Sequence, residues 1–321
     1  VAIGYKSLSK NLTGVRNVSI GYESLVNMTA SRSDYGTVAI GYQAGYQVRG
    51  GSNTGWNVFI GDKAGETWGY SGDSQKGYNV FVGARAGRNG TSANSYGDNN
   101  CSNNTAIGYS AMGTENSSAF TGGSNTAIGT TALGDISSGS ENVALGAGAG
   151  AKITSGSGNM CIGKSALGAI TTTTGGTAIG NFALYRSGAS STGIGYFAGA
   201  YLGGGARNTI IGNEAMRGGY NTEDPNGDGS VGWADNDASD NVAIGYKSLG
   251  HSDNVGTSTA FTADKNVAIG AYAGTSISTG SYNIAIGYEA LKSEDTGQTS
   301  IAIGGNCLES QNNDDENNNI A

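Results

Sequence analysis

NVAIGYKSL, Asn241 to Leu249, is one copy of a phrase that returns along the whole chain. Val1 to Leu8 repeats it without the leading Asn, and NTAIGTTAL at Asn125 to Leu133 varies it. Self-similarity of this kind is sought first, because missing it misassigns the fold. A glycine preceded by a branched aliphatic residue occurs sixteen times, from Gly4 to Gly304. The preceding residue is Ile except at Val82 and Leu145, and the third residue after the glycine is Ala, Ser or Cys307. Four before the glycine stands Asn, with Thr37, Gly176, Ser191 and Ser300 as the departures. The commonest interval is seventeen residues, and the longest, thirty-three, precedes Gly245.

That period is too short for two helices and a turn. The positions three and one before the glycine are mostly β-branched and the one between is usually Ala, which is the alternation of a pleated strand. Each unit therefore predicts one short strand, a glycine corner, a second short extended piece and a Thr/Ser/Gly turn such as SISTGSYN, Ser276 to Asn283. So small a unit cannot bury its apolar face alone, but stacked coils can. The expectation is an all-β chain forming a parallel β-solenoid of about sixteen coils. Ile20, Ile128 and Ile286 are expected to form an inward ladder, with Gly21, Gly129 and Gly287 at the corner. Ala/Ser and Asn positions make further ladders. Insertions map onto one corner.

Composition would suggest disorder if no period were present: Gly accounts for 58 residues of 321, Pro225 is the only proline, and charged residues make up 13%. A net charge of −8 with no basic stripe argues against nucleic acid. No run of apolar residues is long enough to span a membrane. Both ends interrupt the phrase, so residues 1–321 read as one continuous array cut from something longer. Cys161 and Cys307 occupy repeat positions elsewhere filled by Ala and read as small buried hydrophobes. Cys101 lies in an insertion.

The phrases NTAIG and NVAIG followed by Ala-Leu, as at Asn125 to Leu133 and Asn283 to Leu291, resemble the head repeats of YadA-like trimeric autotransporter adhesins. They are closer to the longer repeats of bacteriophage tail fibres. The resemblance implies a left-handed β-roll, three chains side by side in a homotrimer, and an extracellular fibre that presents loops to a host cell-surface polysaccharide or protein. The seventeen-residue unit and the long insertions depart from the adhesin pattern and favour the fibre.

The sharpest local motif is DPNGDGSVGWAD, Asp224 to Asp235, inside the insertion at 213–240. Its spacing is that of an EF-hand-type calcium loop. Asp224, Asn226 and Asp228 would give side-chain oxygens, Ser230 its carbonyl, and Asp235 would close the site. The alternative is an acidic surface turn. Trp68, Tyr70, Tyr96, Tyr220 and Trp233 lie in loops rich in Asn, Ser and Gly, which suits adaptable surface recognition, sugars included. Catalysis has little support, because His251 is the only histidine and no nucleophile motif surrounds it. A polysaccharide depolymerase and an ice-binding solenoid remain as alternatives, the latter requiring regular Thr ladders.

Overall fold

The computed structural model describes residues 1–12, 14–28, 36–48, 55–68, 77–88, 101–113, 120–188, 190–218, 237–249, 261–311 and 319–321. Among them there is no helix. Sixteen short strands follow chain order in a parallel sheet, which makes the chain a β-solenoid. It divides into two compact units, Val1–Cys161 and Ile162–Ala321.

The first unit carries β1 (Ala2–Ile3), β2 (Val18–Ile20), β3 (Val38–Ile40), β4 (Val58–Ile60), β5 (Val80–Val82), β6 (Thr105–Ile107), β7 (Thr126–Ile128) and β8 (Val143–Leu145). The boundary falls within β9 (Met160–Ile162). The second unit carries β10 (Thr177–Ile179), β11 (Thr192–Ile194), β12 (Thr209–Ile211), β13 (Val242–Ile244), β14 (Val267–Ile269), β15 (Ile284–Ile286) and β16 (Ile301–Ile303). Equivalent residues pair throughout each unit: Ala106 faces Ala127 and Ala127 faces Ala144, as Ala268 faces Ala285.

The phase of the strands corrects the expectation for Ile20, Ile128 and Ile286. The middle residue points inward, with Ala127, Ala144, Ala268 and Ala285 buried, while Ile128 is 36% exposed and Ile20 and Ile286 are half-buried. Volume decides this. The coil interior must also hold the Ala at plus three from the glycine, the Leu at plus four and the apolar residue at plus seven, as with Ala132, Leu133 and Ile136, all buried. Only a small residue fits opposite them. A period-two strand then turns both β-branched neighbours out.

The second arm is also different from the extended piece expected. Alternate residues take left-handed angles, Thr131 at φ 53° and Leu133 at φ 48°. The run closes on itself through Ala132 N–H to Gly129 O (3.3 Å) and Gly134 N–H to Thr131 O (3.1 Å). Between these turns the amides reach other coils: Thr131 N–H donates to Tyr109 O (2.9 Å) behind it and Leu133 N–H to Ala149 O (2.9 Å) ahead. Gly129, at φ 137°, is obligatory at the corner, because a Cβ there would lie 2.5 Å from Gly146 O.

The asparagine ladder forms as expected. Asn142 donates its backbone N–H (3.0 Å) and its Nδ2 (3.0 Å) to Asn125 Oδ1, and Asn159 does the same to Asn142 (3.0 and 2.9 Å). The remaining Asn142 Nδ2 proton goes to Gly156 O (2.9 Å). In the second unit Asn208, Asn241, Asn266 and Asn283 continue the pattern. These amides are fully buried and each bond contributes about 1 kcal/mol net, yet an unmet one costs more.

In the first unit the core swells. Phe59 and Phe81 take the place of the strand Ala, and Gly65 and Gly87 take that of the Leu at plus four. The exchange is volumetric: a Cβ on Gly65 would come 2.6 Å from Phe59 Cδ1, and one on Gly87 would overlap the Phe81 ring. Phe59 stacks on Phe81 at 5.5 Å, and Trp68 meets Phe81 edge-on at 4.6 Å and Phe120 at 5.1 Å.

Candidate interaction surfaces

Turning Ile and its β-branched partner outward leaves each unit with two parallel ranks on the open sheet face, one mostly Ile and one that mixes Val and Ile with Thr. In the first unit Ile40, Ile60, Ile107 and Leu145 in one rank and Val143 in the other are between 36% and 46% exposed. In the second unit Ile211 is similarly open, and Thr177, Thr192 and Thr209 pair in register within the outer rank. At about 4.8 Å per strand and about 10 Å of width, eight strands present on the order of 400 Å2 per unit. That is the size of the largest apolar patch on a typical monomer, which is often functional.

Beside this face runs the residue after the glycine. Tyr5, Tyr22 and Tyr42 stack at 5.1 and 5.5 Å, each about half exposed, because coil spacing brings equivalent rings into register. Lys6 Nζ lies 5.1 Å from the Tyr5 ring centre. In the second unit the position two after the glycine carries the stack: Phe182 and Phe197 lie 4.9 Å apart, with Lys164 Nζ 5.7 Å from the first and the Arg217 guanidinium 4.7 Å from the second.

A further edge is set by the residue five before the glycine, which takes a left-handed angle even when it is not glycine. Arg207 there forms a bidentate pair with Asp240 (Nε to Oδ1 2.7 Å, NH2 to Oδ2 2.8 Å), which holds the Asp240 carboxyl below its ordinary value. Lys265 donates to Tyr282 Oη at 2.8 Å and lies 4.9 Å from its ring centre. Trp56 and Tyr78, 51% and 59% exposed, occupy this edge in the first unit.

Trp68 is corrected: it is 1% exposed and belongs to the core. It stands seven after Gly61, the offset of Ile136 from Gly129, so alignment on the glycines carried the signal. Trp56 and Tyr78 were missed because their offset reads as an ordinary turn until its backbone angle is known. Tyr70, Tyr96, Tyr220 and Trp233 lie outside the described residues, as do Asp224, Asn226, Asp228, Ser230, Asp235 and His251. Among the described residues no group of three or more His, Cys, Asp or Glu side chains could hold a metal ion.

Cys161 and Cys101 are buried, and burial pushes the Cys161 thiol up to about 12, the mark of an inert core thiol. Cys307 is half-buried. Among the described residues no helix is long and apolar enough to cross a membrane. No family model, curated protein or solved structure matches the chain.

Proposed function

We propose that this chain is a structural shaft and surface-binding segment of an extracellular homotrimeric fibre, of the bacteriophage tail-fibre kind that mediates attachment to a host. The observation that carries the reading is the outward aliphatic face. Its two ranks run in register through each unit, and covering them by equivalent faces of other copies would bury apolar area that thin coils otherwise lack. Three is the number of copies that the resemblance implies. A bacterial trimeric adhesin is the closest alternative, and would differ in what anchors it. The role is one of spacing and contact, with loops offered to a cell-surface polysaccharide or protein.

The test is the mass in solution by light scattering. Three times the 32.1 kDa chain mass is the expected result, and a stable monomer overturns the reading. The outward Thr pairs, Thr177 to Thr192 and Thr192 to Thr209, also favour a second reading, a monomeric ice-binding face. Thermal hysteresis from a monomer would establish it.

Calcium held by Asp224, Asn226, Asp228, Ser230 and Asp235 belongs to the same proposal as a stiffener of that insertion. Limited proteolysis between residues 221 and 240 is expected to quicken on chelation while the melting of the coils stays unchanged. Cleavage indifferent to calcium removes the metal from the proposal.

A further inference from the structure

The edge five residues before each glycine is a costly place for a large ring. In the first unit Arg16, Gly36, Trp56, Tyr78, Asn103, Ser124, Glu141 and Gly158 all take φ between 59° and 69°. Glycine adopts such an angle freely and small polar residues tolerate it, whereas a bulky side chain loses about 1–2 kcal/mol. Consecutive coils nonetheless put Trp and Tyr here and leave both rings more than half exposed. The fold sets this angle at every coil, at Arg207, Lys265 and Tyr282 as well, so what distinguishes this stretch is two exposed aromatic residues on consecutive coils.

The indole has a seat. A Cβ on Gly36, one coil earlier, would come 2.9 Å from Trp56 Cε3 and 3.1 Å from Cζ3. The six-membered half of the indole therefore lies against the bare backbone of Gly36, and Trp56 as a whole is 51% exposed. Tyr78 stands on the next coil, about 4.8 Å along the edge. Arg16 and Asn103, both exposed, flank the pair along the same edge. At the corresponding edge of the second unit the Tyr282 ring already has the Lys265 ammonium against it.

We infer that Trp56, seated on Gly36 and extended by Tyr78, is a platform for a pyranose of a neutral glycan chain. A pyranose has an apolar face of C–H groups and a rim of hydroxyls. The exposed part of the indole matches the first, and the Tyr78 hydroxyl, the Asn103 amide and the Arg16 guanidinium along the same edge match the second. A peptide side chain would ask for a pocket, and this edge offers a plane with hydrogen-bonding groups at its ends. The inference deepens the surface-binding part of the proposed function and rests on it.

Calorimetric titration of the whole chain with cellohexaose, maltohexaose, mannohexaose and chitohexaose tests it. At least one is expected to bind with a dissociation constant in the millimolar range or tighter. Trp56→Ala, an outward truncation that leaves the melting temperature unchanged, is expected to weaken that binding at least about tenfold. Gly36→Ala, which unseats the ring, is expected to weaken it as well. Saturable binding by none of the four, or affinity unaltered in Trp56→Ala, overturns the platform. Binding of an oligolysine peptide through Trp56 in place of every sugar overturns it in favour of a cationic protein partner. Light scattering on the same samples separates the two proposals. A trimer that ignores the sugars loses the platform and keeps the fibre, and a monomer that binds them through Trp56 does the reverse.

Discussion

Ala127→Asp is expected to destabilise the coils around β7 by at least about 3 kcal/mol, while Ile128→Asp, one residue later, is expected to cost them about 1 kcal/mol or less. Ala127 lies between Ala106 and Ala144 in the closed interior, where a carboxylate has no partner and no room. Ile128 points to solvent. Its substitution acts elsewhere: in the proposed trimer it would bring three carboxylates onto a shared apolar face, so the mass should fall to that of one chain. Hydrogen exchange over residues 101–113 and 120–149 reads the first effect and light scattering the second. Equal loss of protection in both variants would show that the outward phase of the strand is wrong.

Phe81→Ala is expected to cost about 3–5 kcal/mol, because the vacated ring had Phe59 on its face and Trp68 at its edge, all fully buried. Gly87→Leu alone is expected to destabilise by about 1–3 kcal/mol through overlap with the same ring. The two together should recover roughly half of the loss from Phe81→Ala, since they recreate the Ala and Leu pair seen at Ala127 and Leu133. The leucine would bear the left-handed strain that Leu133 already bears at φ 48°, Gly87 being at φ 60°, which is why the recovery is partial. Urea denaturation followed by tryptophan fluorescence, to which the buried Trp68 beside Phe81 contributes, measures all three. A double variant no more stable than Phe81→Ala would mean that the Phe and Gly are not volume partners. In a stacked array the damage stays near β5, because each coil touches only its neighbours.

The period, the strands and the asparagine ladder were legible because each depends on one residue type at one offset from a glycine. The phase of the strand was not. Val-Ala-Ile alternates equally well with either face inward, and hydropathy favours burying Val and Ile over Ala. Only the bulk of Leu133 and Ile136 on the opposite side of the coil decides for Ala127. The second arm was misread as extended because leucine rarely takes a left-handed angle, whereas Leu25, Leu133, Leu167 and Leu291 all do. Hydrogen bonds to coils on both sides hold them there, and those partners lie about a repeat away in sequence. Of the surface aromatics chosen from sequence, the one described, Trp68, is core. Loop composition says nothing about where a side chain points, while register with Ile136 does.

The asparagine ladder has a direction. Asn142 gives its protons back to Asn125 and offers its own oxygen forward to Asn159. Along the asparagine runs each coil thus carries a ready acceptor for the next asparagine, while backbone amides such as Leu133 N–H and Val143 N–H take their acceptors from the coil that follows. A chain emerging from the ribosome N-terminus first meets, at each step, a template already in place. The ladder therefore gives the stack a polarity, in which each asparagine finds its acceptor already placed when coils form in chain order.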